Sequence, residues 1–559
     1  MSEALRTQYL NRWNALKNER STWMTHWREL SDYYLPRSGR FFTRDVNKGD
    51  KRWNNIYDST GTRALRILAA GMMAGMTSPA RPWFRLATPD SALMEHDPVK
   101  LWLNEVTKRM RLVFARSNTY RSLHNVYEEL GLFGTAASIV VPDYDTLVRH
   151  HPLTAGEYAL AADNRREICT LYREFEMTVS QMVREFGLVK CSKTVQNLYK
   201  NGGKGLDTWV TVVHVIEPRY DRDTKKRTAQ NMPYASSYFE LGGGANEVLR
   251  ESGFNEFPVI APRWGAVSGD VYGFSPGMEA LGDVKQLQHQ QLKKAEAIEY
   301  KVNPPLAVPT SLVNSDIDRL PGGIVYADSN GQQGGIRSLY EVNLDLSHLR
   351  EDIGDVRQRI NQAFYADLFL MLANDDRSNI TAREVAERHE EKLLMLGPVL
   401  ERLHNEMLDP LIDITFSRML SSGMLADLPP PRELQGVDLK VEFVSTLAQA
   451  QRAVGVQAVD RLLGTVGAIA PLRPDVLDKL DTDQLIDAYA DMLGVDPTLI
   501  VADDRVTIIR QDRAQQQQAQ QAAAMMQPAA DAAHKLSQTP TGNDSALDSV
   551  LSMFQGYGQ

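Results

Sequence analysis

The chain has 559 residues and a formal net charge of −9, with 43% apolar and 24% charged residues, which is ordinary for a soluble protein and enough for about two to four domains with real cores. Two cysteines, Cys169 and Cys191, cannot build a disulfide framework and point to a reducing compartment. The negative balance excludes a protein that grips nucleic acid through its overall field.

The charge is uneven. Residues 1–53 hold eleven Lys and Arg against six Asp and Glu, while Arg473 to Arg510 hold four against nine. The N-terminal excess reads as a solvated helix face before it reads as a basic patch. MSEALRTQYLNRW has neither the apolar core of a signal peptide nor a transit-peptide composition. The most apolar run, ALRILAAGMMAGM at residues 64–76, contains Arg66 and is too short to cross a bilayer. A cytosolic product with no membrane partner is expected.

Tyr9, Trp13, Leu16, Trp23, Trp27, Leu30 and Tyr34 follow a seven-residue pattern that Arg20 interrupts. The spacing predicts an amphipathic helix or helix pair with an aromatic seam, ended by Pro36 and Gly39. Asp58-Ser59-Thr60-Gly61 opens a helix rich in Ala, Gly and Met, packed closely by its small residues. Asp97-Pro98 starts a helix through about Arg116, and another runs from about Tyr120 to Gly131. From about Ala136 the pattern changes to strands (SIVV, EYALAAD, ICTLYREFEMT, TWVTVVHVIEP, SSYFEL) with a short helix at Val179–Phe186. This predicts an α+β region with a mainly antiparallel sheet. His150 and His151 lack carboxylate or thiol neighbours at ligand spacing and are weak evidence for metal.

Ser275 caps a helix starting at Pro276 and running to about Lys301, stopped by Pro304 and Pro305. Residues 304–343 read as a compact β module rich in Gly and Pro. A second helix, about Leu344 to Leu372, returns from it, and the polar turn Ala373–Ser378 leads to a long helix through Leu420. That helix opens on a capping box, Thr381 with Glu384. Its apolar face carries Leu396, Val399, Leu400, Leu403, Met407, Leu411 and Ile414. Gly397-Pro398 is expected to kink it, because proline lacks the amide proton and its ring pushes on the preceding turn; Pro410 repeats the interruption. Leu428-Pro429-Pro430-Pro431 is a stiff linker. DLKVEFVS is a strand, further helices reach about Leu493, and the Gln/Ala-rich end could be helical only at its start.

The motifs of catalysis are absent. Gly202-Gly203-Lys204-Gly205 lacks the spaced glycine and the following Ser or Thr of a phosphate loop. Glu387-Arg388-His389-Glu390-Glu391 lacks the second histidine of a zinc helix. There is no G-x-S-x-G elbow, and neither cysteine has a nucleophile's setting. Acidic pairs such as Asp375-Asp376 and Asp503-Asp504 could serve a metal-dependent nuclease, but adjacent loop carboxylates are usually just solvated. The residues describe a protein that is not an enzyme and needs no cofactor or metal. A metal-dependent nuclease and a helical cytosolic scaffold unrelated to DNA remain the alternatives.

Several short motifs together resemble the portal, or head-to-tail connector, family of short-tailed double-stranded DNA bacteriophages. They are Pro82-Trp83-Phe84-Arg85-Leu86, Leu132-Phe133-Gly134-Thr135-Ala136, Arg263-Trp264, Tyr272-Gly273-Phe274-Ser275-Pro276, Thr381-Ala382-Arg383-Glu384-Val385, Leu396-Gly397-Pro398-Val399 and Asp409-Pro410-Leu411-Ile412. The resemblance covers roughly residues 5–495. It implies an α+β, predominantly α portal fold with wing, stem, clip and crown, assembled as a ring of twelve subunits around a DNA channel at one capsid vertex. Residues 1–272 would be the wing, 273–302 and 344–372 the stem helices, and 303–343 the clip. Residues 373–380 would be the tunnel loop, 381–427 a long kinked wing helix, 428–513 the crown and 514–559 a low-complexity tail.

The resemblance further implies that Asn374, Asp375, Asp376, Arg377 and Ser378 line the channel. Asp316, Asp318, Arg319 and Arg337 of the clip would face the packaging terminase and later the tail adaptor. The implied partners are further copies of the chain, double-stranded DNA read without sequence preference, the terminase large subunit, the major capsid and scaffolding proteins, the tail tube and internal core proteins. The implied location is the portal vertex of the virion, at the head–tail junction. The second stem helix region, Glu341 to Leu372, has six acids against three arginines, which suits a wall along which a polyanion slides, since Lys and Arg contacts to phosphate produce tight binding.

Overall fold

The computed structural model describes residues 2–41, 55–94, 96–226, 228–242, 247–302, 306–307, 337–338, 347–373, 395–434, 436–445, 447, 459, 462–469, 471, 473–493, 501 and 505–520. The chain forms two compact units. One combines residues 1–87, 103–429 and 439–464; the other combines 88–102, 430–438 and 465–559.

The aromatic seam folds as a helix pair, α1 (Ser2–Glu19) and α2 (Ser21–Tyr33), and the interrupting Arg20 is the joint between them. Arg20 is buried there, its guanidinium donating to the Tyr158 carbonyl and lying over the Trp13 ring. Next come α3 (Thr60–Met76), β1 (Phe84–Ala87), α4 (Ser91–Met94), α5 (Asp97–Arg116) and α6 (Thr119–Phe133). As the composition predicts, α3 is packed through its glycines. A Cβ at Gly71 would stand 2.2 Å from the Phe369 ring, and one at Gly131 of α6 would stand 2.8 Å from Leu65 and Leu68 of α3.

The strand region holds two antiparallel sheets. The larger has the order β4-β5-β6-β7-β8, built from Tyr158–Ala162, Ile168–Thr178, Trp209–Pro218, Tyr234–Glu240 and Val248–Phe254. The smaller has the order β3-β2-β9, from Leu147–Leu153, Ala137–Asp143 and Val259–Ile260. Side chains alternate between sheet faces. One face of the larger sheet places Tyr172, Val213, Val215 and Phe239 against Tyr9, Trp13 and Leu16 of α1. At the other, Val212 and Leu249 pack with Val179 and Met182 of α7 (Val179–Phe186) and Val195 of α8 (Lys193–Asn201). Strand β1 pairs with β12 (Lys440–Phe443), Phe84 opposite Phe443, across more than three hundred residues.

Ser275 caps α9 (Pro276–Glu279) as expected, its hydroxyl accepting from the Met278 amide at 3.1 Å. The chain continues into α10 (Leu281–Val302). Beyond α10, Leu306–Ala307 (β10) and Arg337–Ser338 (β11) pair antiparallel; the rest of the expected β module lies outside the described residues. The return helix, expected to be continuous, is instead α11 (Ser347–Ala363) and α12 (Ala366–Ala373), broken at Phe364-Tyr365.

Residues 395–403 are α-helical (α13), His404–Leu408 widen to π-helix, and α14 (Asp409–Ser421) follows. The wide turn comes just before Pro410, whose ring nitrogen has no proton to give the helix, and the Asp409 amide reaches back five residues to the His404 carbonyl. In the second unit Thr482–Leu493 is helical, and so are residues 505–520, where the glutamine run begins. Arg510 and Asp483 join these two helices through paired bonds of 2.6 and 2.8 Å.

Candidate functional site

Two polar nodes organise the first unit. In the first, Asp58 precedes α3 and its carboxylate folds back on the helix start. Oδ1 accepts from the Thr60 amide at 2.9 Å and the Thr60 hydroxyl at 2.6 Å. Oδ2 accepts from Arg357 Nη2 at 2.7 Å, Arg357 Nε at 3.1 Å and Gln291 Nε2 at 2.8 Å. Gln288 completes the node, its Oε1 accepting from the Tyr57 and Asp58 amides and its Nε2 donating to the Asp58 carbonyl at 3.0 Å. The Asp58 side chain is 7% exposed. Burial alone would raise its pKa, but the bonds from Thr60 and Arg357 outweigh it and the net shift is downward.

Asp58 therefore ties the first turn of α3 to both α10 and α11. The helices α10 and α11 run antiparallel, because Asp283 meets Arg359 at 3.2 Å while Gln290, further along α10, bonds Asp352, earlier on α11. Lys285 of α10 also pairs with Glu29 of α2. The helix pair is thus fastened at its α9 end, and β10 with β11 lies beyond its other end.

The second node gathers motifs that lie far apart in the sequence. Gly134 ends α6 with φ +75°, and a Cβ there would stand 2.2 Å from the Gly273 carbonyl oxygen, so only glycine fits. The Gly134 carbonyl accepts from the Trp264 amide at 2.9 Å. Thr135 Oγ1 accepts from the Gly273 amide at 2.7 Å, and Ser275 Oγ donates to the Leu132 carbonyl at 2.7 Å. Tyr272 packs edge-on to Trp27 at 5.1 Å, and burial pushes its hydroxyl up to about 12. Arg263 then reaches the π-helical turn. Its backbone amide donates to Glu406 at 2.9 Å, its guanidinium at 2.6 Å, and one arm also bonds the Arg166 carbonyl. Three of the motif groups quoted above thus form one packed joint, and the wide turn before Pro410 is held against it.

The π turn, Arg263 and the loop before β5 border an open groove of about 790 Å³ that also takes in Pro398, Glu401 and Arg402. On α14, burial and then the neighbouring Asp413 carboxylate raise Asp409 to about 6. His150 is a satisfied core histidine. Its Nε2 lies 3.0 Å from Thr119 Oγ1, and burial lowers its pKa to about 4. Among the described residues no three His, Cys, Asp or Glu side chains are grouped to hold a metal, and no helix is long and apolar enough to cross a membrane.

Of the expected site residues, Gly397 and Pro398 lie in α13, with Pro398 exposed; the turn before them is outside the described residues. Arg337 is placed by its backbone, paired with Ala307. Asp316, Asp318, Arg319 and Asn374, Asp375, Asp376, Arg377 and Ser378 lie outside the described residues, as does the Thr381–Glu384 capping box. Sequence reasoning missed Gln288, Arg357 and Glu406 as organising residues. The available signal was Gln288 beside Val284 and Leu287 on the inward face of α10, where a polar side chain must find partners.

The Asp58 node thus fastens the antiparallel pair α10–α11, and the close glycines with the Arg263–Glu406 ion pair form a second joint that brings distant segments together. The sequence profile of the bacteriophage head to tail connecting proteins matches residues 6–501. The chain is 61% identical over 548 residues to the probable portal protein of Bordetella phage BPP-1, covering 98% of both chains. It is 48% identical over 551 residues to the portal protein of Salmonella phage epsilon15, again covering 98% of both. A chain in the neck of a native gene transfer agent particle, computed with C12 symmetry, is 12% identical, with coverage of 74% and 86% and a TM-score of 0.35; this likeness is too weak to carry an argument. The chain belongs to the bacteriophage head to tail connecting protein family.

Proposed function

We propose that this protein is the portal of a short-tailed double-stranded DNA phage. In this reading it is a non-enzymatic subunit of a ring of twelve copies at the head–tail junction of the virion, through which the genome is packaged and ejected. The observation that carries the reading is family membership over nearly the whole chain, together with relatives called portal proteins at 61% and 48% identity. The fastened antiparallel pair α10–α11 supports it, since a ring needs elements that keep their geometry while subunits repeat around an axis.

Within this proposal residues 1–272 and 381–427 form the wing, α10 and α11–α12 the stem, 303–343 the clip and 428–513 the crown. Asn374 to Ser378 face the channel. Asp316, Asp318, Arg319 and Arg337 meet the terminase large subunit and then the tail adaptor, while other surfaces meet the major capsid, scaffolding, tail-tube and internal core proteins.

Negative-stain images of the purified protein test the reading, with twelve-fold rings around a DNA-width channel expected. Persistent monomers, or assemblies with no channel, would overturn it. Deleting residues 374–378 should leave rings intact and reduce DNA packaging or retention; normal genome filling would sink the channel assignment. The motor is a separate ATPase, so the ring itself should not turn over ATP. Metal-dependent cleavage of DNA by the purified protein would favour a nuclease instead.

A further inference from the structure

The break between α11 and α12 is not written locally. Gln362-Ala363-Phe364-Tyr365-Ala366-Asp367 contains neither glycine nor proline, and nothing in it forbids a continuous helix. Yet Tyr365 has φ +53°, a left-handed conformation that is strained for a bulky side chain. The Phe364 amide still bonds Ile360 at 3.2 Å, the Tyr365 amide turns to Gln362 at 3.0 Å, and α12 restarts with Phe369 bonded to Tyr365 at 3.2 Å.

Such strain persists only where the surroundings over-determine it, and here they can be named. Phe364 is wholly buried, edge-on to Tyr34 at 5.6 Å, and the Tyr365 ring lies 6.3 Å from Trp264. Leu368 is buried, and Phe369 lies on Gly71 of α3 where no Cβ would fit. On the near side of the break, α11 is held by Ile353, Val356 and Ile360 in the core and by Arg357 on Asp58.

Local preference favours a straight helix and docking favours a bent one, and both act on the same two residues. We infer that Phe364-Tyr365 is a hinge between two states, the docked bend and a straight α11–α12 helix in which α12 leaves the Gly71 surface. In the straight state Tyr365 takes the right-handed conformation and the Ala366, Asp367 and Leu368 amides gain helical acceptors. Asp58 keeps α11 in place, so the moving part is α12. The hinge goes beyond the portal reading and does not depend on it.

Spin labels at Arg350→Cys and Leu370→Cys, both exposed positions, test the hinge by double electron–electron resonance. The full chain carries Cys169→Ser and Cys191→Ala and is diluted with unlabelled chain, so only distances within one subunit are read. A straight helix separates the two backbones by about 30 Å along its axis, and the bend shortens this. The short distance should dominate, with the straight one as a minor population. Gly71→Ala, which pushes a methyl at the Phe369 ring, should raise the straight population about tenfold. Tyr365→Gly, at ease with positive φ, should remove it. Should Gly71→Ala fail to fold, Phe369→Ala loosens the same contact without adding atoms. Unchanged distances in the docking variant that folds, or a shift in the same direction with Tyr365→Gly, would overturn the hinge.

Discussion

Asp58 offers a demanding test of how the antiparallel helices α10 and α11 are fastened. Asp58→Asn keeps the size but removes the charge, and turns a carboxylate receiving five donated bonds into a group that receives fewer and adds donors of its own. Removing one partner of a buried pair costs about 3–5 kcal/mol. Arg357 is 47% exposed, so solvent screens that half of the interaction and the lower end, about 3 kcal/mol, is the working value. Unfolding entropy is about 2 cal/mol/K per residue, so for a unit of a few hundred residues the loss should lower Tm by about 3 °C.

The pH dependence sharpens this test. A carboxylate whose folded pKa is depressed contributes stability above its unfolded pKa and loses it as pH falls through the folded value. The difference between wild type and Asp58→Asn should therefore be full at pH 7 and fade below about pH 4. The assay is calorimetric melting at both ends of that range, with a double-mutant cycle against Arg357→Ala, where a coupling of about 1–2 kcal/mol is expected for residues in contact. Equal melts at pH 7, a difference that does not shrink as pH falls below about 4, or zero coupling with Arg357 would refute the reasoning.

Three further outcomes are expected. Burial pushes the Glu129 carboxyl, bonded by Thr154 Oγ1 at 2.7 Å and the Ala155 amide at 3.1 Å, up to about 8. The folded chain thus holds a proton that the unfolded chain releases, and stability falls as pH rises from about 5 to 8. Glu129→Gln should melt progressively higher relative to wild type over that range and hold its lead above it; a flat difference refutes the assignment. Gly134→Ala should cost about 2 kcal/mol or more, from the left-handed backbone and the collision with Gly273, read as a lower urea midpoint at unchanged slope. Pro398→Ala should straighten the long helix and impair ring closure; native mass spectra showing unchanged rings would count against a bend at that residue.

The legible parts of this protein were those set by neighbours along the chain. The aromatic seam at Tyr9–Tyr34, the Ser275 cap, the glycine-packed α3 and the antiparallel strands all follow from short-range patterns, and each is present. Strands β3 and β8 and helix α8 escaped notice, because short mixed segments such as LVRHHPL carry little periodicity. The joint that matters most was present in the sequence only as separate motifs. Nothing in the order of Gly134, Arg263, Gly273 and Glu406 says that they touch.

By itself, then, the sequence determined the family, the absence of recognisable catalytic motifs and the more strongly patterned helices and strands, because these depend on composition, caps and local periods. Only the tertiary structure decided that β1 pairs with β12, that one carboxylate joins α3, α10 and α11, that the helix before Pro410 opens into a π turn against Arg263, and that a helix-competent stretch breaks at Tyr365. The physical reason is common to all four. Each depends on a partner scores to hundreds of residues away, whose packing or charge overrides a local preference worth only about a kilocalorie per residue.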